Sequence, residues 1–349
     1  WNVPLSFTYS NQQSQFQQPF NQFGMTPYYK WIKLYAGYNT MSFSPYTLNG
    51  HIFLGGGIQL TPGIFKLSAM YGRLNRAVQE DTNNIYSVPY FQRMGFGVKA
   101  GVGKGKNSFD LILFSAKDDP NSIPVPFKSQ VLPMENLVLS GVGSLGLGER
   151  LVLTAEYASS ALTRDIRSPE LGEEGGIYRN FGFFKVRQST AFHNAYKANL
   201  NYTGEGYAFG VGYEHIDPGY RTLGSYYFND DLENYTANAA KQFWSGRLNI
   251  SINAGIQKNN LKGDKMSSMN RFIGAINTSI VASQRLSFSA SYTNFQTYTR
   301  VRSQFDRINQ LTPYDNLDTL NVSQLSQSAT LGTVYLISPV GDKNKREML

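Results

Sequence analysis

Alternation of period two constrains this chain more than any other feature. From Leu151, the residues Leu151, Leu153, Ala155 and Tyr157 alternate with Val152, Thr154, Glu156 and Ala158. The pattern returns in Tyr196–Tyr202 and again in Tyr207–Glu214. One face is apolar and aromatic, and the other is small, polar or charged. A strand places successive side chains on opposite faces, so this pattern marks strands with two different environments.

The connections between these segments alternate in length. Short polar turns lie at Thr61-Pro62-Gly63, Gly103–Asn107, Gly148-Glu149-Arg150, Thr203–Gly206, Ser245-Gly246-Arg247 and Ser283-Gln284-Arg285. Long stretches rich in Asp, Asn, Pro, Ser and Arg occupy about 74–90, 117–136, 161–190, 216–232, 258–269 and 297–325. Gly and Asn supply the backbone freedom of tight hairpins. Short turns on one side and long loops on the other are the order expected of an antiparallel up-and-down transmembrane β-barrel. Strands are expected at 2–9, 29–39, 50–60, 64–73, 91–102, 107–116, 137–148, 151–160, 192–202, 206–215, 234–243, 247–257, 271–282, 286–296 and 325–337. With even closure, this implies fourteen to sixteen strands in a single domain over 1–349. The Gln-rich segment 10–27, with Pro19 and Pro27, is read as a periplasmic excursion or partial plug.

Composition agrees. No apolar run approaches the roughly 20 residues of a spanning helix. Among 349 residues there are 23 Tyr, 23 Phe and 33 Gly, with only 16% charged. Barrels hide their hydrophobicity in alternate positions, so the negative mean hydropathy is expected. The absence of Cys excludes disulfides and thiolate chemistry. The net charge of +8 is dispersed, with Lys343-Asn344-Lys345-Arg346 as its one dense run. That distribution argues against nucleic acid and for anionic lipid headgroups. A barrel is exported. The opening on Trp1 and the ending on Met348-Leu349 therefore suggest ends other than those of the natural gene product.

Parity assigns the faces. The apolar sets Phe65/Leu67/Ala69/Tyr71, Met94/Phe96/Val98/Ala100, Leu248/Ile250/Ile252/Ala254 and Leu286/Phe288/Ala290/Tyr292 face lipid. Tyr71, Tyr157, Tyr213 and Tyr292 sit near the loop ends of their strands and form an aromatic girdle. Phe65, Phe109, Tyr202 and Tyr207 would form a second one near the turns. The opposite parity places Lys33, Lys66, Lys99, Asp110, Glu156, Lys197 and Glu214 in the lumen, because these charges are costly in lipid.

No catalytic or metal motif emerges. The three histidines are His51, His193 and His215, the last two near one rim. Ser189-Thr190 with His193-Asn194 supplies residue types for nucleophilic catalysis without a recognisable arrangement. Asp118-Asp119-Pro120-Asn121 and Asn229-Asp230-Asp231 offer oxygens for loop-bound Ca, but neither has EF-hand spacing, and turn formation explains both. Gly55-Gly56-Gly57 lies inside a strand with no helix after it, so a phosphate cradle is excluded and close packing is expected.

Three phrases carry a resemblance: Phe43–Gly50 followed by Phe53–Gly57, Leu132–Asn136 leading to Ala158–Asp165, and Tyr227–Thr236. Together they resemble poorly characterised outer-membrane barrel proteins of the Bacteroidota. The resemblance implies residence in the Gram-negative outer membrane. It also implies a non-enzymatic role in a larger machine for secretion, gliding, uptake or assembly. Expected partners are outer-membrane lipid and lipopolysaccharide, with other outer-membrane or periplasmic proteins. The alternatives are a general or weakly anion-selective diffusion porin and a barrel hydrolase.

Overall fold

The computed structural model describes residues 2–9, 21–80, 89–124, 126, 131–172, 176–226, 228–265, 267–301 and 320–337. The basic run Lys343–Arg346 and the chain's end lie outside the described residues.

The fold is all-β and antiparallel, with strands running up and down. It begins with three short strands, β1 (Leu5–Thr8), β2 (Gln22–Met25) and β3 (Tyr28–Tyr29). Then come β4 (Ile32–Ser42), β5 (Asn49–Leu60), β6 (Phe65–Asn75), β7 (Gln92–Lys104), β8 (Asn107–Asp119), β9 (Glu135–Leu147) and β10 (Leu151–Thr163). A 3-10 turn follows at Gly176–Asn180. The remaining strands are β11 (Thr190–Gly204), β12 (Tyr207–Ile216), β13 (Leu232–Phe243), β14 (Leu248–Asn259), β15 (Ser267–Val281), β16 (Leu286–Val301) and β17 (Leu320–Tyr335). Fourteen of the strands have 10 to 16 residues, enough for the 9–11 residues of a tilted membrane strand. Among the described residues no helix is long and apolar enough to cross a membrane.

From β4 onward each strand pairs with the next in sequence. The turns fall where the Gly-rich tetrapeptides predict them. Gly105 (φ 63°) closes the β7–β8 turn and Gly206 (φ 77°) the β11–β12 turn, in a left-handed conformation that favours glycine. Of the segment 10–27, residues 10–20 lie outside the described residues. Gln22–Met25 forms β2, which pairs with both β1 and β4.

The chain forms two compact units. The first contains residues 1–144, 156–196 and 219–230, and the second 145–155, 197–218 and 231–349.

In the first unit, alternation separates two faces cleanly. Phe65, Leu67, Tyr71, Val98, Val102, Phe109, Leu111 and Tyr157 are exposed on one face. Ser68, Met70, Asp110, Ile112, Phe114 and Glu156 are buried on the other. An exposed face this apolar, above a polar and covered one, is the reverse of a water-soluble sheet.

Two long loops of this unit leave the strand ends in opposite directions. Loop 217–231 turns in, over the polar face. The Tyr220 hydroxyl donates to the Tyr46 carbonyl oxygen at 2.7 Å, and Thr222 Oγ1 donates to the Thr47 carbonyl oxygen at 2.7 Å. Asn136 Oδ1 accepts the Leu223 N–H at 3.1 Å, and Ser160 Oγ donates to the Arg221 carbonyl oxygen at 2.7 Å. Tyr46, Leu48, Phe53, Phe114, Tyr220 and Leu223 are all buried in this unit, and the Tyr46 and Tyr220 rings meet edge-to-face at 6.2 Å. Each contributes on the order of 1.5–3 kcal/mol by leaving water.

Loop 164–190 turns out, over the apolar face. Tyr178, Phe184 and Val186 are buried with Leu137 of β9 and Ala161 of β10, and Leu113, Leu139 and Phe181 pack around them. Phe183 meets Phe96 of β7 with ring centroids 5.1 Å apart. The sequence pattern puts Phe96 against lipid. The finding is that the chain's own loop covers it, a contact 87 positions away that local periodicity does not register.

In the second unit, β12 to β16 carry Phe209, Val211, Ile252, Ile256, Phe288 and Tyr292 exposed. Asp231 ties two loops there. It is 1% exposed; its Oδ1 accepts the Leu261 N–H at 2.7 Å and its Oδ2 pairs with Lys265 at 2.5 Å.

Candidate functional site

The inward loop creates a basic chamber in the first unit. Tyr220, Thr222 and Leu223 anchor the loop from both sides. The intervening Arg221 side chain is thereby directed away from the packed cluster and into open space. Two cavities meet there. One, of about 160 Å³, is lined by His51, Asn75, Phe91, Arg93, Asp118 and Arg221. The other, of about 700 Å³, is lined by Arg164, Tyr220, Arg221, Tyr226, Phe228 and Asp230. Arg221 and Tyr226 border both.

The charges of the chamber are unequally matched. Arg93 grips Asp118 through two hydrogen bonds, 2.7 and 2.9 Å, and Asp118 Oδ2 also accepts the Met134 N–H. Asp230 accepts the Gly219 N–H at 2.6 Å. Arg164 and Arg221 form no ion pair among the described residues. Burial lowers the pKa of Arg221, the neighbouring Arg93 and Arg164 guanidiniums lower it further, and Asp230 opposes them. A guanidinium stays protonated through such shifts, so its unmatched charge persists.

Tyr226 closes one side. Its ring stacks on His51 at 4.0 Å, and its hydroxyl accepts the Ile52 N–H at 3.2 Å. Asn75, 4% exposed, stands opposite Arg93 at a register shift between β6 and β7, and its Oδ1 has no hydrogen-bond partner among the described residues. The arrangement suits the holding or passage of a small anion that also donates a hydrogen bond.

The residues singled out by parity fall as follows. Lys99 and Asp110 are both on the covered face of the first unit and pair at 3.0 Å. Lys33 lies over the Tyr35 ring, whose hydroxyl bonds Gln59. Lys66 alternates with exposed Phe65 and Leu67 in β6 and pairs in register with Gly101. Glu156 is 4% exposed and 3.4 Å from Ser140 Oγ. In the second unit, Glu214 accepts from Asn234 Nδ2 at 2.7 Å, and Lys197 alternates with exposed Tyr196. Of the tyrosines, Tyr71, Tyr157 and Tyr292 are exposed, Tyr157 donating to Asn194 Oδ1. The Tyr213 hydroxyl donates to Glu233 at 2.6 Å. The basic residues of the chamber, Arg93, Arg164 and Arg221, are absent from the parity reading.

The other candidates have structural roles. Ser189 Oγ donates to the Asp165 carbonyl oxygen and meets Ser168 Oγ, which closes the base of loop 164–190. His193 lies beside Gly219, whose added Cβ would come 2.9 Å from the imidazole. His215 Nε2 is 3.2 Å from Asp217. The carboxylates of Asp118, Asp230 and Asp231 are engaged as described, and Asp119 Oδ1 accepts the Asn121 N–H. Among the described residues no three His, Asp or Glu side chains gather as a metal site.

No protein-family model matches the sequence, and no curated protein matches it. Among solved structures the chain is similar to Pseudomonas aeruginosa OccK8 (OprE), with 12% identity, 90% of this chain and 80% of that chain covered, and a TM-score of 0.43. It is similar to Pseudomonas aeruginosa OpdQ at 11% identity, over 90% of this chain and 80% of that one, with a TM-score of 0.44. The outer membrane protein OprD from Pseudomonas aeruginosa matches at 10% identity, over 90% and 78%, with a TM-score of 0.42. At this level the likeness carries no residue role or solute to this chain.

Proposed function

We propose that the chain is a non-enzymatic outer-membrane β-barrel that forms a channel preferring anionic solutes. The strand lengths, the hairpin order and the exposed aromatic and aliphatic face support residence in the outer membrane. The observation that carries the channel reading is Arg221. A loop fixed by hydrogen bonds at both neighbours presents this guanidinium to open space, with Arg164 beside it and no ion pair to either among the described residues. A structural plug would neutralise such charges, whereas a selective constriction leaves them for the solute.

The test is a reversal potential across a planar bilayer under a salt gradient, with the purified full chain. Wild type is expected to favour anions, and Arg221→Glu to move the potential toward cations. A folded barrel that passes no current would overturn the channel reading and return attention to the scaffold reading.

A further inference from the structure

Loop 164–190 is built, and it ends in exposed apolar side chains. Its two limbs are joined by Leu171 N–H to the Val186 carbonyl oxygen at 2.9 Å and by Gln188 N–H to the Pro169 carbonyl oxygen at 2.9 Å. Arg187 Nη1 adds a bond to the Ser168 carbonyl oxygen. From this stem the loop lays Tyr178, Phe184 and Val186 on the apolar face of the wall. Burial pushes the pKa of the Tyr178 hydroxyl up to about 12. Ile177 and Phe183 remain 61% and 45% exposed.

We infer that this loop is an interfacial anchor, with Ile177 and Phe183 seated in the outer leaflet of the membrane. The inference rests on the membrane reading above, and two observations favour lipid over a protein partner. First, the exposed surface is continuous with the wall. Phe183 meets Phe96 edge-to-face, and Val98, two residues along β7, is exposed on the same face. The loop therefore widens an apolar belt that already exists. Second, the charges along the described stem of the loop are paired within it. Arg167 pairs with Asp165 at 2.9 Å, and Lys185 and Arg187 both pair with Glu170, at 2.9 and 3.1 Å. Ile177 and Phe183 present an aliphatic and an aromatic group beside that paired stem, as interfacial anchors do.

The chain has no cysteine, so single labelling sites are clean. Ile177→Cys, Phe183→Cys, Leu111→Cys on the exposed wall and Asn121→Cys on another loop would each carry a nitroxide in the full chain. Phospholipid vesicles would hold the labelled protein. Collisions with oxygen, which partitions into lipid, are compared with collisions with a water-soluble nickel chelate. The anchor predicts that labels at 177 and 183 favour oxygen as the label at 111 does, while that at 121 favours nickel. Labels at 177 and 183 that favour nickel, with 111 in lipid, overturn the anchor and leave the membrane reading intact. A label at 111 that favours nickel overturns the membrane reading itself. Shielding of 177 and 183 from both agents, relieved on diluting protein in lipid, assigns the surface to a second copy and also overturns the anchor.

Discussion

The hydroxyl of Tyr220 donates to the carbonyl oxygen of Tyr46, 174 positions earlier, at 2.7 Å in a buried setting. Burial pushes the pKa of this phenol well above its ordinary value, so it remains a donor through the physiological range. Two connections from distant hairpins are thereby clamped over one polar face. Each of the four bonds in the clamp is worth about 0.5–1.5 kcal/mol net, and their loss together would free the loop.

Gly224 gives the sharpest handle on that clamp. A Cβ there would lie 2.7 Å from the Thr47 carbonyl oxygen and 2.9 Å from the Phe114 ring. Gly224→Val is therefore expected to lift loop 217–231. Trypsin would then cut after Arg221 faster than in wild type, and unitary conductance would rise. Unchanged cleavage and unchanged conductance together would refute the clamp.

Asp231 separates backbone from charge. It holds a left-handed φ of 59° while its carboxylate serves Leu261 N–H and Lys265. Asn tolerates that conformation and keeps an acceptor. Asp231→Asn is expected to cost about 1 kcal/mol, since Lys265 is half exposed. Asp231→Ala adds backbone strain and an orphaned N–H, roughly 1–3 kcal/mol more. Denaturant unfolding of both variants checks the order, and equal losses would contradict it.

Acid should loosen the stem of loop 164–190. The hydrogen bond from Arg167 holds the Asp165 carboxyl below its ordinary value, and the Arg187 charge adds to the effect. A carboxylate with a lowered folded pKa contributes stability above its unfolded value of about 3.9, and loses it as pH falls through the folded value. Hydrogen exchange at the Arg167 N–H, which Asp165 Oδ1 accepts, reads this directly. Protection is expected to fall below about pH 4 in wild type and to be weaker and flatter in Asp165→Asn. Protection as acid-resistant in wild type as at neutral pH would disprove the linkage.

The sequence revealed the hairpins because each depends on neighbours. Lys104-Gly105-Lys106-Asn107 fixes its own turn, and alternation along Phe65–Tyr71 fixes its own faces. It hid where the long loops go, because that depends on pairs such as Tyr46 with Tyr220 and Phe96 with Phe183. A signal was present nonetheless. Tyr220, Leu223 and Tyr226 in one loop, and Phe181, Phe183, Phe184 and Val186 in the other, are too apolar for solvent-exposed connections. Parity does not reach Arg221, because it speaks only of strands. Likewise β2 was obscured by its Gln-rich, Pro-bounded surroundings, although Phe23 and Met25 alternate.

Gly97 of β7 has a consequence of its own. A Cβ there would meet the Phe43 ring at 2.7 Å, so the wall at this level is bare backbone faced by an aromatic from the β4–β5 connection. What narrows the space is thus carried by the connections and not by the strand. If the chain is a channel, any change of bore would be written in residues such as Phe43 and Leu223, and the staves could stay as they are while the gauge is altered.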